Sequence, residues 1–372
     1  MILLAIFGFI IVIGPLILLH ELGHYLVGRW FGVDAESFSI GMGREVTGWT
    51  DRRGTRWKVS ALPIGGYVKF AGDMGPASVP DPAWLTLPPE QRARTFQAKP
   101  LWQRFLIVAA GPATNFLVAI WIYACFFALF GVPQTPPVVQ GVIVGSAAAR
   151  AGLEVGDEVT AIDGRGINSF EEIADFVKLR PGETMTIDIV RHGAPLTLGA
   201  TAGTAYDVDP IGHRVRRGLL GIMPGPQEIV HLGPFGVIRS AVAYTAGAVR
   251  MMIDVIGQIL GGERSARDLG GPIKIAQISG ETVSLGPLRV IEFMALISIN
   301  LGFMNLLPIP MLDGGHLFFY LVEGVRRRPL PERAQEWAFR SGLALLLGFM
   351  VFVTVNDLGS LGFWQKLAGL IG

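Results

Sequence analysis

Four long apolar stretches dominate the pattern of hydrophobic and polar positions along the chain. They run over residues 1–30, 101–130, 290–312 and 338–361. Each is long enough to cross a bilayer as an α-helix, which takes about 20 mostly apolar residues. The first stretch is too long for the core of a signal peptide and has no basic residues in front of it. The pattern therefore predicts four transmembrane helices, the first of which is retained.

Between these stretches the pattern changes to short alternations and turn signals. Residues 35–72 combine glycines, aromatic residues and β-branched residues around a turn signal at 51–54, which predicts a membrane-associated β-hairpin region. Residues 138–205 carry strand-like alternations around the helical run SFEEIADFVKLR, which indicates a small α+β domain. The segment 73–100 is rich in proline and alanine, and we interpret it as a solvated cytoplasmic loop.

The segment 233–285 is amphipathic. Arg239, Arg250 and Asp254 are spaced among apolar residues, which favours a helix that lies on the membrane surface. A fifth transmembrane helix is the alternative, but these charges would be costly in hydrocarbon. Lysines and arginines crowd the segments that follow the first and third spans. By the positive-inside tendency, those segments are cytoplasmic, and both termini and the α+β domain lie on the other side.

Composition supports a membrane protein. Hydrophobic residues make up 51% of the chain and charged residues 16%, well below the roughly 25% charged residues of soluble domains. The formal net charge is +1, without a basic stripe, so we expect the lipid bilayer and no nucleic acid as a partner. Cys125 is the only cysteine, which excludes a disulfide framework and a cysteine-based metal site.

His20, Glu21 and His24 form the pattern HELGH near the end of the first apolar stretch. Residues four apart on a helix are only about 40° apart around its axis, so the two imidazoles can hold one metal ion. Glu21 lies beside such a metal without having to bind it. Its expected role is to take a proton from water and later to protonate the leaving amine. Ionisable residues in a spanning segment are costly unless they pair or bind metal, which gives this short motif its weight.

A catalytic zinc ion generally has three protein ligands and leaves the fourth position to water. The best candidate for the third ligand is Asp313, in the run NLLPIPMLDGGH, and His316 is an alternative. Pro308 and Pro310 interrupt the third span, which is tolerated where protein or a water-filled cavity satisfies the backbone. Asn305 is expected to bind substrate or to pack helices. Two imidazoles and one carboxylate favour zinc over cobalt or manganese.

Three runs together resemble the bacterial site-2 proteases, especially the regulator-of-sigma-E type: HELGH, the PDZ-like GSAAARAGLEVGDEVTAIDG, and NLLPIPMLDGG. The resemblance covers essentially the whole chain. It implies a polytopic α-helical membrane protein of about four transmembrane helices, with a β-hairpin region and an inserted α+β PDZ domain. The implied activity is zinc-dependent intramembrane cleavage of single-span proteins, such as a trimmed anti-sigma factor or signal-peptide remnants, in the bacterial inner membrane.

The resemblance also implies residue roles. The Zn2+ ligands would be His20, His24 and Asp313. Glu21 would be the catalytic acid and base. Asn305 would help to position substrate, and so would Asn115 in the run GPATNFLVAI, although a helix-packing role suits Asn115 equally well. The hairpin region would bind an unwound substrate as an added strand, with candidate contacts at Gly65, Gly66, Tyr67, Val68 and Lys69.

Several alternatives stay open. The regulator-of-sigma-E type usually has two PDZ domains, whereas this chain has room for one, which puts the sigma-E role in question. The single domain would bind a substrate C-terminus or act as a steric size filter. A membrane adaptor with a structural metal is a rival function, but structural zinc sites use four protein ligands and have no use for Glu21. A metal transporter is a second rival, and the other spans lack the further His, Asp or Glu ladder it would need.

Overall fold

The chain forms two compact units. In the computed structural model the described residues are 2–73, 85–178, 180–208, 214–262, 270–328 and 330–360. The first unit comprises Met1–Tyr123, Tyr244–Val249 and Ala266–Gly372. The second comprises Ala124–Ala243 and Arg250–Ser265. Parts of the predicted segments, namely 1, 74–84, 179, 263–269 and 361, lie outside the described residues.

Ten helices are described in these ranges. They are α1 (Ile2–Trp30), α2 (Pro89–Arg92), α3 (Leu101–Phe130), α4 (Ala147–Ala151), α5 (Phe170–Lys178), α6 (Pro234–Leu260), α7 (Pro272–Ser284), α8 (Pro287–Leu306), α9 (Asp313–Arg326) and α10 (Glu332–Ser360). Four of them contain segments long and apolar enough to cross a membrane: Leu3–Trp30, Leu101–Phe130, Pro287–Leu306 and Gln335–Gly359. The region predicted to be amphipathic holds two helices, α6 and α7, and neither is among these four segments.

The third apolar helix ends earlier than the predicted residue 312. Leu307, which directly follows α8, is extended, with a ψ of 140°. The residue before a proline is pushed out of the α region by the proline ring, and Pro308 follows Leu307. The chain then turns through 307–312 and starts a new helix, α9, at Asp313. The prediction that the third span itself runs to 312 was wrong for this reason.

Helix α1 is fixed in the first unit by close backbone contacts. A Cβ atom on Gly8 would lie 2.7 Å from the backbone N of Gly280 in α7. A Cβ atom on Gly280 would lie 2.8 Å from the Cα of Ala5. Small residues that let helix backbones touch are typical of membrane helix packing. The two glycines thus hold the N-terminal half of α1 against α7.

Two long strands, β1 (Ala35–Thr50) and β2 (Arg56–Phe70), follow α1. The N-terminal part of β1 pairs with 66–70 and also with 56–59, and the C-terminal part of β1 pairs with 56–60 as well. The two bent strands therefore form four neighbouring segments, in which 66–70 is an edge among the described residues. Asp51, in the connecting turn, accepts hydrogen bonds from Trp57 Nε1 at 3.0 Å and from Tyr25 Oη at 3.3 Å. The Trp57 bond contributes most to lowering the pKa of Asp51, and the Tyr25 bond ties the hairpin to α1.

The segment before α3 is less solvated than predicted. Phe96 is fully buried and stacks on Phe70, with ring centroids 5.6 Å apart. Its backbone N–H donates to the carbonyl of Ala71 at 3.0 Å. The interpretation of 73–100 as a wholly solvated loop was therefore wrong at its C-terminal end, where one aromatic side chain anchors the chain to the end of β2.

The second unit is built on a four-stranded sheet, whose strands are β5 (Glu158–Ile162), β6 (Arg165–Gly166), β7 (Thr184–Arg191) and β8 (Ala194–Thr201). Their order in the sheet is β6-β5-β7-β8. Shorter strands flank the sheet: β3 (Val132–Gln134), β4 (Gly141–Val142), β9 (Gly203–Val208), β10 (Arg214–Leu219), β11 (Ile222–Met223) and β12 (Glu228–Val230). The alternating apolar residues of β5 and β7 form the core with α4 and α5.

The second unit continues beyond the predicted boundary at residue 205. Strand β11 pairs with β4, where Ile222 faces Val142 and Met223 faces Gly141. Strand β12 pairs with β3 in the same way. Such pairs join residues that are far apart in the sequence. The local alternation of apolar and polar residues, which weakens after 203, does not predict them. The α+β domain therefore includes residues up to at least Met223.

Candidate active site

Three side chains from two helices converge in the first unit. His20 and His24 lie one turn apart on α1, and Asp313 is the first residue of α9. The two Nε2 atoms are 3.2 Å apart. Oδ2 of Asp313 lies 3.1 Å from Nε2 of His20 and 3.5 Å from Nε2 of His24. The three ligand atoms thus form a nearly regular triangle.

This triangle has the dimensions of a metal site. Tetrahedral zinc with ligand bonds of about 2.1 Å holds its ligand atoms roughly 3.4 Å apart. Oδ2 of Asp313 is buried and has no partner with hydrogen-bond geometry among the described residues. An acceptor in that position, facing two imidazole nitrogens, is satisfied by a cation between the three atoms. Two imidazoles and one carboxylate are also a donor set of catalytic zinc sites.

His24 is oriented by α3. Its Nδ1 lies 2.9 Å from the carbonyl oxygen of Ile107. Because a carbonyl only accepts, Nδ1 carries the proton and donates it, which leaves the lone pair of Nε2 towards the triangle. Metal-binding histidines are commonly held in this way through their second nitrogen. The contact between α1 and α3 therefore fixes both the ring and its tautomer.

Two glycines let α1 and α3 approach closely enough for the hydrogen bond of His24. A Cβ atom on Gly111 would lie 2.2 Å from Nε2 of His24 and 2.8 Å from Cε1 of His20. A Cβ atom on Gly23 would lie 2.3 Å from Oγ1 of Thr114. Sequence reasoning missed both glycines as site residues. Their signal was present, because Gly23 lies within HELGH and Gly111 begins the run GPATN.

Asp313 is positioned by the break between α8 and α9. A Cβ atom on Gly314 would lie 2.2 Å from the carbonyl oxygen of Leu307, so α9 starts in direct backbone contact with the turn. Met311 has a φ of 86°, which is unusual for a residue with a side chain and costs about 1–3 kcal/mol. The carboxylate lies at a helix N-terminus, where the helix dipole favours a negative charge.

A cavity of about 440 Å³ opens beside the triangle. Its lining includes Glu21, Asn115, Asn305, His316 and the hairpin residues 65–68. The structure thus brings most of the predicted site residues to one cavity. Lys69 is not part of this lining, and its Nζ pairs with Glu36 at 2.7 Å. His316 lines the cavity but is not in the His20, His24 and Asp313 group.

The edge segment of the hairpin runs past Glu21. A Cβ atom on Gly66 would lie 3.2 Å from Cγ of Glu21 and 2.9 Å from the carbonyl oxygen of Ser39. The carboxylate of Glu21 is also within hydrogen-bond reach of the Val68 backbone. Only glycine fits at position 66 without displacing the strand or Glu21. The carboxylate is therefore held between the triangle and an edge strand.

Comparison with known proteins agrees with this geometry. The family model of peptidase family M50 matches residues 8–349. A protein of Agrobacterium fabrum, named as a predicted zinc metalloprotease, is 43% identical over 358 residues, which is 95% of each chain. The metalloprotease MmpA of Caulobacter vibrioides is 36% identical over 392 residues, covering 99% of this chain and 98% of that protein.

Two solved structures resemble short parts of the chain. The HtrA-type protease AlgW with a decapeptide is 34% identical over 18% of this chain and 21% of that chain, with a TM-score of 0.17. A PDZ domain from Listeria monocytogenes is 23% identical over 25% of this chain and 90% of that chain, with a TM-score of 0.19. The family assignment rests on the matches over nearly the whole chain, which confirm the predicted resemblance. The chain belongs to peptidase family M50, the site-2 proteases, and is a membrane zinc metalloprotease.

Proposed function

We propose that this protein is an intramembrane endopeptidase that hydrolyses peptide bonds within the transmembrane segments of single-span membrane proteins. The observation that carries the proposal is the position of Glu21. Its carboxylate lines the same cavity as the His20, His24 and Asp313 triangle, on a helix long and apolar enough to span a membrane. A hydrolytic centre within a membrane-spanning helix acts on peptide bonds that are themselves in the bilayer.

The proposed ligands of Zn2+ are His20, His24 and Asp313. Bound there, zinc supplies Lewis acidity, which polarises a scissile carbonyl and lowers the pKa of a water molecule. Glu21 takes the proton from the attacking water and gives it to the leaving amine. The hairpin edge and Asn115 line the cavity in which this proton transfer takes place.

The proposed binding site for substrate is the edge segment at the end of β2. Segment 66–70 has β1 on one side, and no other described strand pairs with its other side, where we propose that an extended peptide binds by strand addition beside Glu21. Gly65, Gly66, Tyr67 and Val68 line the cavity. A transmembrane helix has its peptide bonds shielded, so it must unwind before an edge strand and Glu21 can reach one of them. Asn305 is a further candidate contact from the end of α8.

The proposed location is the bacterial inner membrane, with both termini and the PDZ domain on the periplasmic side. The basic residues that follow the first and third spans support this orientation, and the active site then faces the cytoplasmic side. Helix α6 is proposed to lie on the membrane surface, because exposed apolar residues such as Phe235 alternate with Arg239 and Arg250. The PDZ domain selects trimmed substrates, such as an anti-sigma factor or a signal-peptide remnant, by peptide binding or by size.

An adaptor with a structural metal is less well supported. A structural zinc site fills all four positions with protein ligands. In the part of the chain that the structure describes, the candidate group has three members, and a cavity lies beside them. This open arrangement favours catalysis.

The proposal predicts where the bond is cut. We expect the purified protein to cut a single-span reporter inside its apolar segment, which the masses of both fragments locate. A matched reporter in which a Leu-Leu pair of that segment is replaced by Gly-Pro should be cut several-fold faster, because glycine and proline weaken the helix. A cut in the soluble flank of the reporter, or equal rates for the two reporters, would contradict cleavage of an unwound membrane segment.

A further inference from the structure

Asn115 contacts the proposed zinc ligand His20 from α3. Its side chain is almost completely buried, with 1% of its surface exposed. Nδ2 of the amide lies 3.1 Å from Nδ1 of His20. The other end of the amide, Oδ1, is buried and has no hydrogen-bond partner among the described residues. We propose that Asn115 is a positioning residue whose amide oxygen accepts the Nδ1–H of His20 and so directs the Nε2 lone pair of His20 to zinc.

The argument starts from the proton on His20. A neutral imidazole has one N–H and one lone pair. If the amide donated its N–H to Nδ1, the ring proton would be on Nε2, the atom that belongs to the metal triangle. Nε2 could then donate to Asp313 but could not bind a metal. A half-turn of the amide brings Oδ1 to the same place, keeps the shape of the side chain and leaves Nε2 free for zinc.

His24 provides the precedent within this protein. Its Nδ1 faces a pure acceptor, the carbonyl oxygen of Ile107, at 2.9 Å. Asn115 lies two helical turns further along the same helix, α3, and faces the equivalent atom of His20. Helix α3 thus offers one oxygen to each histidine. The two metal-binding rings would then have the same tautomer and would be oriented by the same helix.

The helix-packing contact of Asn115 is made by a different atom. Oγ of Ser298 in α8 donates to the backbone carbonyl of Asn115 at 2.8 Å, and Ser298 is fully buried. Because this contact does not use the amide, the two roles can be separated by substitution. Ser298→Ala removes this hydrogen bond between α3 and α8 and leaves the amide in place, whereas Asn115→Leu removes the amide and keeps the space filled.

The inference rests on the proposed ligation of zinc by His20, so the test measures zinc affinity and not cleavage. The full-length protein is titrated with zinc in competition with a chelator of known affinity. We expect Asn115→Leu and Asn115→Ala to bind zinc 10–100-fold more weakly, as is typical when the partner of a ligating histidine is lost. Asn115→Asp, which keeps an acceptor oxygen, should bind at least as tightly as the wild type. Ser298→Ala should bind zinc with unchanged affinity.

A reference variant, His20→Ala, separates this inference from the ligand assignment. If His20→Ala loses zinc while Asn115→Leu and Asn115→Ala bind it like the wild type, the positioning role is wrong and the ligand assignment stands. If Asn115→Asp is as weak as Asn115→Leu, the acceptor oxygen is not what matters, and the inference is overturned as well. If His20→Ala binds zinc as tightly as the wild type, both the ligand assignment and the inference fail.

Discussion

We expect the substitution Glu21→Gln to abolish cleavage of a single-span reporter while the purified protein keeps its zinc. Gln has the same size and keeps a carbonyl oxygen, but it cannot take a proton from water or deliver one to the leaving amine. Loss of a general acid and base typically lowers kcat about 10²–10⁴-fold. Zinc binding should be unaffected, because Glu21 is outside the group of His20, His24 and Asp313. The measurement combines kcat on the reporter with elemental analysis of the same protein.

The matched control for this substitution is Glu336→Gln. Glu336 is an exposed residue of α10 that pairs with Arg340 at 2.6 Å. We expect this variant to cleave at the wild-type rate. If Glu21→Gln cleaves as fast as Glu336→Gln, hydrolysis does not depend on the carboxylate, and the adaptor becomes the better account. If Glu21→Gln loses its zinc, Glu21 is a ligand and not a free base.

The second large effect concerns Asp313, the proposed third metal ligand. We expect Asp313→Ala to weaken zinc binding more than 100-fold and to abolish cleavage. This loss of affinity exceeds the roughly 10–100-fold loss that is typical when a residue hydrogen-bonded to a metal ligand is removed. The physical reason is that the carboxylate supplies both one ligand atom and the negative charge of the site. The measurement is zinc affinity by chelator competition, followed by reporter cleavage in excess zinc.

His316→Ala is compared with Asp313→Ala to distinguish the two candidates for the third ligand. His316 lines the same cavity, three residues further along α9, and is the alternative third ligand. Its loss should leave zinc affinity close to the wild-type value. Tight zinc binding by Asp313→Ala together with zinc loss in His316→Ala would show that His316, and not Asp313, is the third ligand.

The local part of the site could be predicted from the sequence. The spacing of HELGH places His20 and His24 on one face of α1, because a helix returns to the same face after about four residues. Long apolar stretches predicted four spanning helices, and four described helices have the required length and composition. Asp313 was a candidate because it is a carboxylate in a proline-interrupted apolar segment, and the structure places Oδ2 within 3.5 Å of both histidines.

Tertiary contacts could not be predicted in the same way. Nothing in the local pattern of HELGH says that α3 passes so close that Gly111 has no room for a Cβ atom. The burial of Phe96 and the strand pair β4–β11 also depend on residues far away in the sequence. The start of α9 at Asp313 follows from the prolines, but its position over the turn depends on backbone contacts of Gly314.

The contact between Asn115 and His20 is another tertiary contact that the local sequence pattern does not predict. The two residues are 95 positions apart in the sequence. From the sequence alone, Asn115 was as compatible with substrate binding as with helix packing. Only the fold brings its amide to a ring nitrogen of His20, a proposed zinc ligand.

Zinc-dependent recovery of cleavage tests the central claim most directly. The protein is stripped of metal with a chelator and titrated with zinc while reporter cleavage is followed. We predict no cleavage by the metal-free protein, a rate that rises in proportion to added zinc, and a plateau at one equivalent. Asp313→Ala should show no recovery over the same range. Wild-type cleavage rates in the metal-free protein, or tight zinc binding that restores no cleavage, would contradict a zinc peptidase at this site.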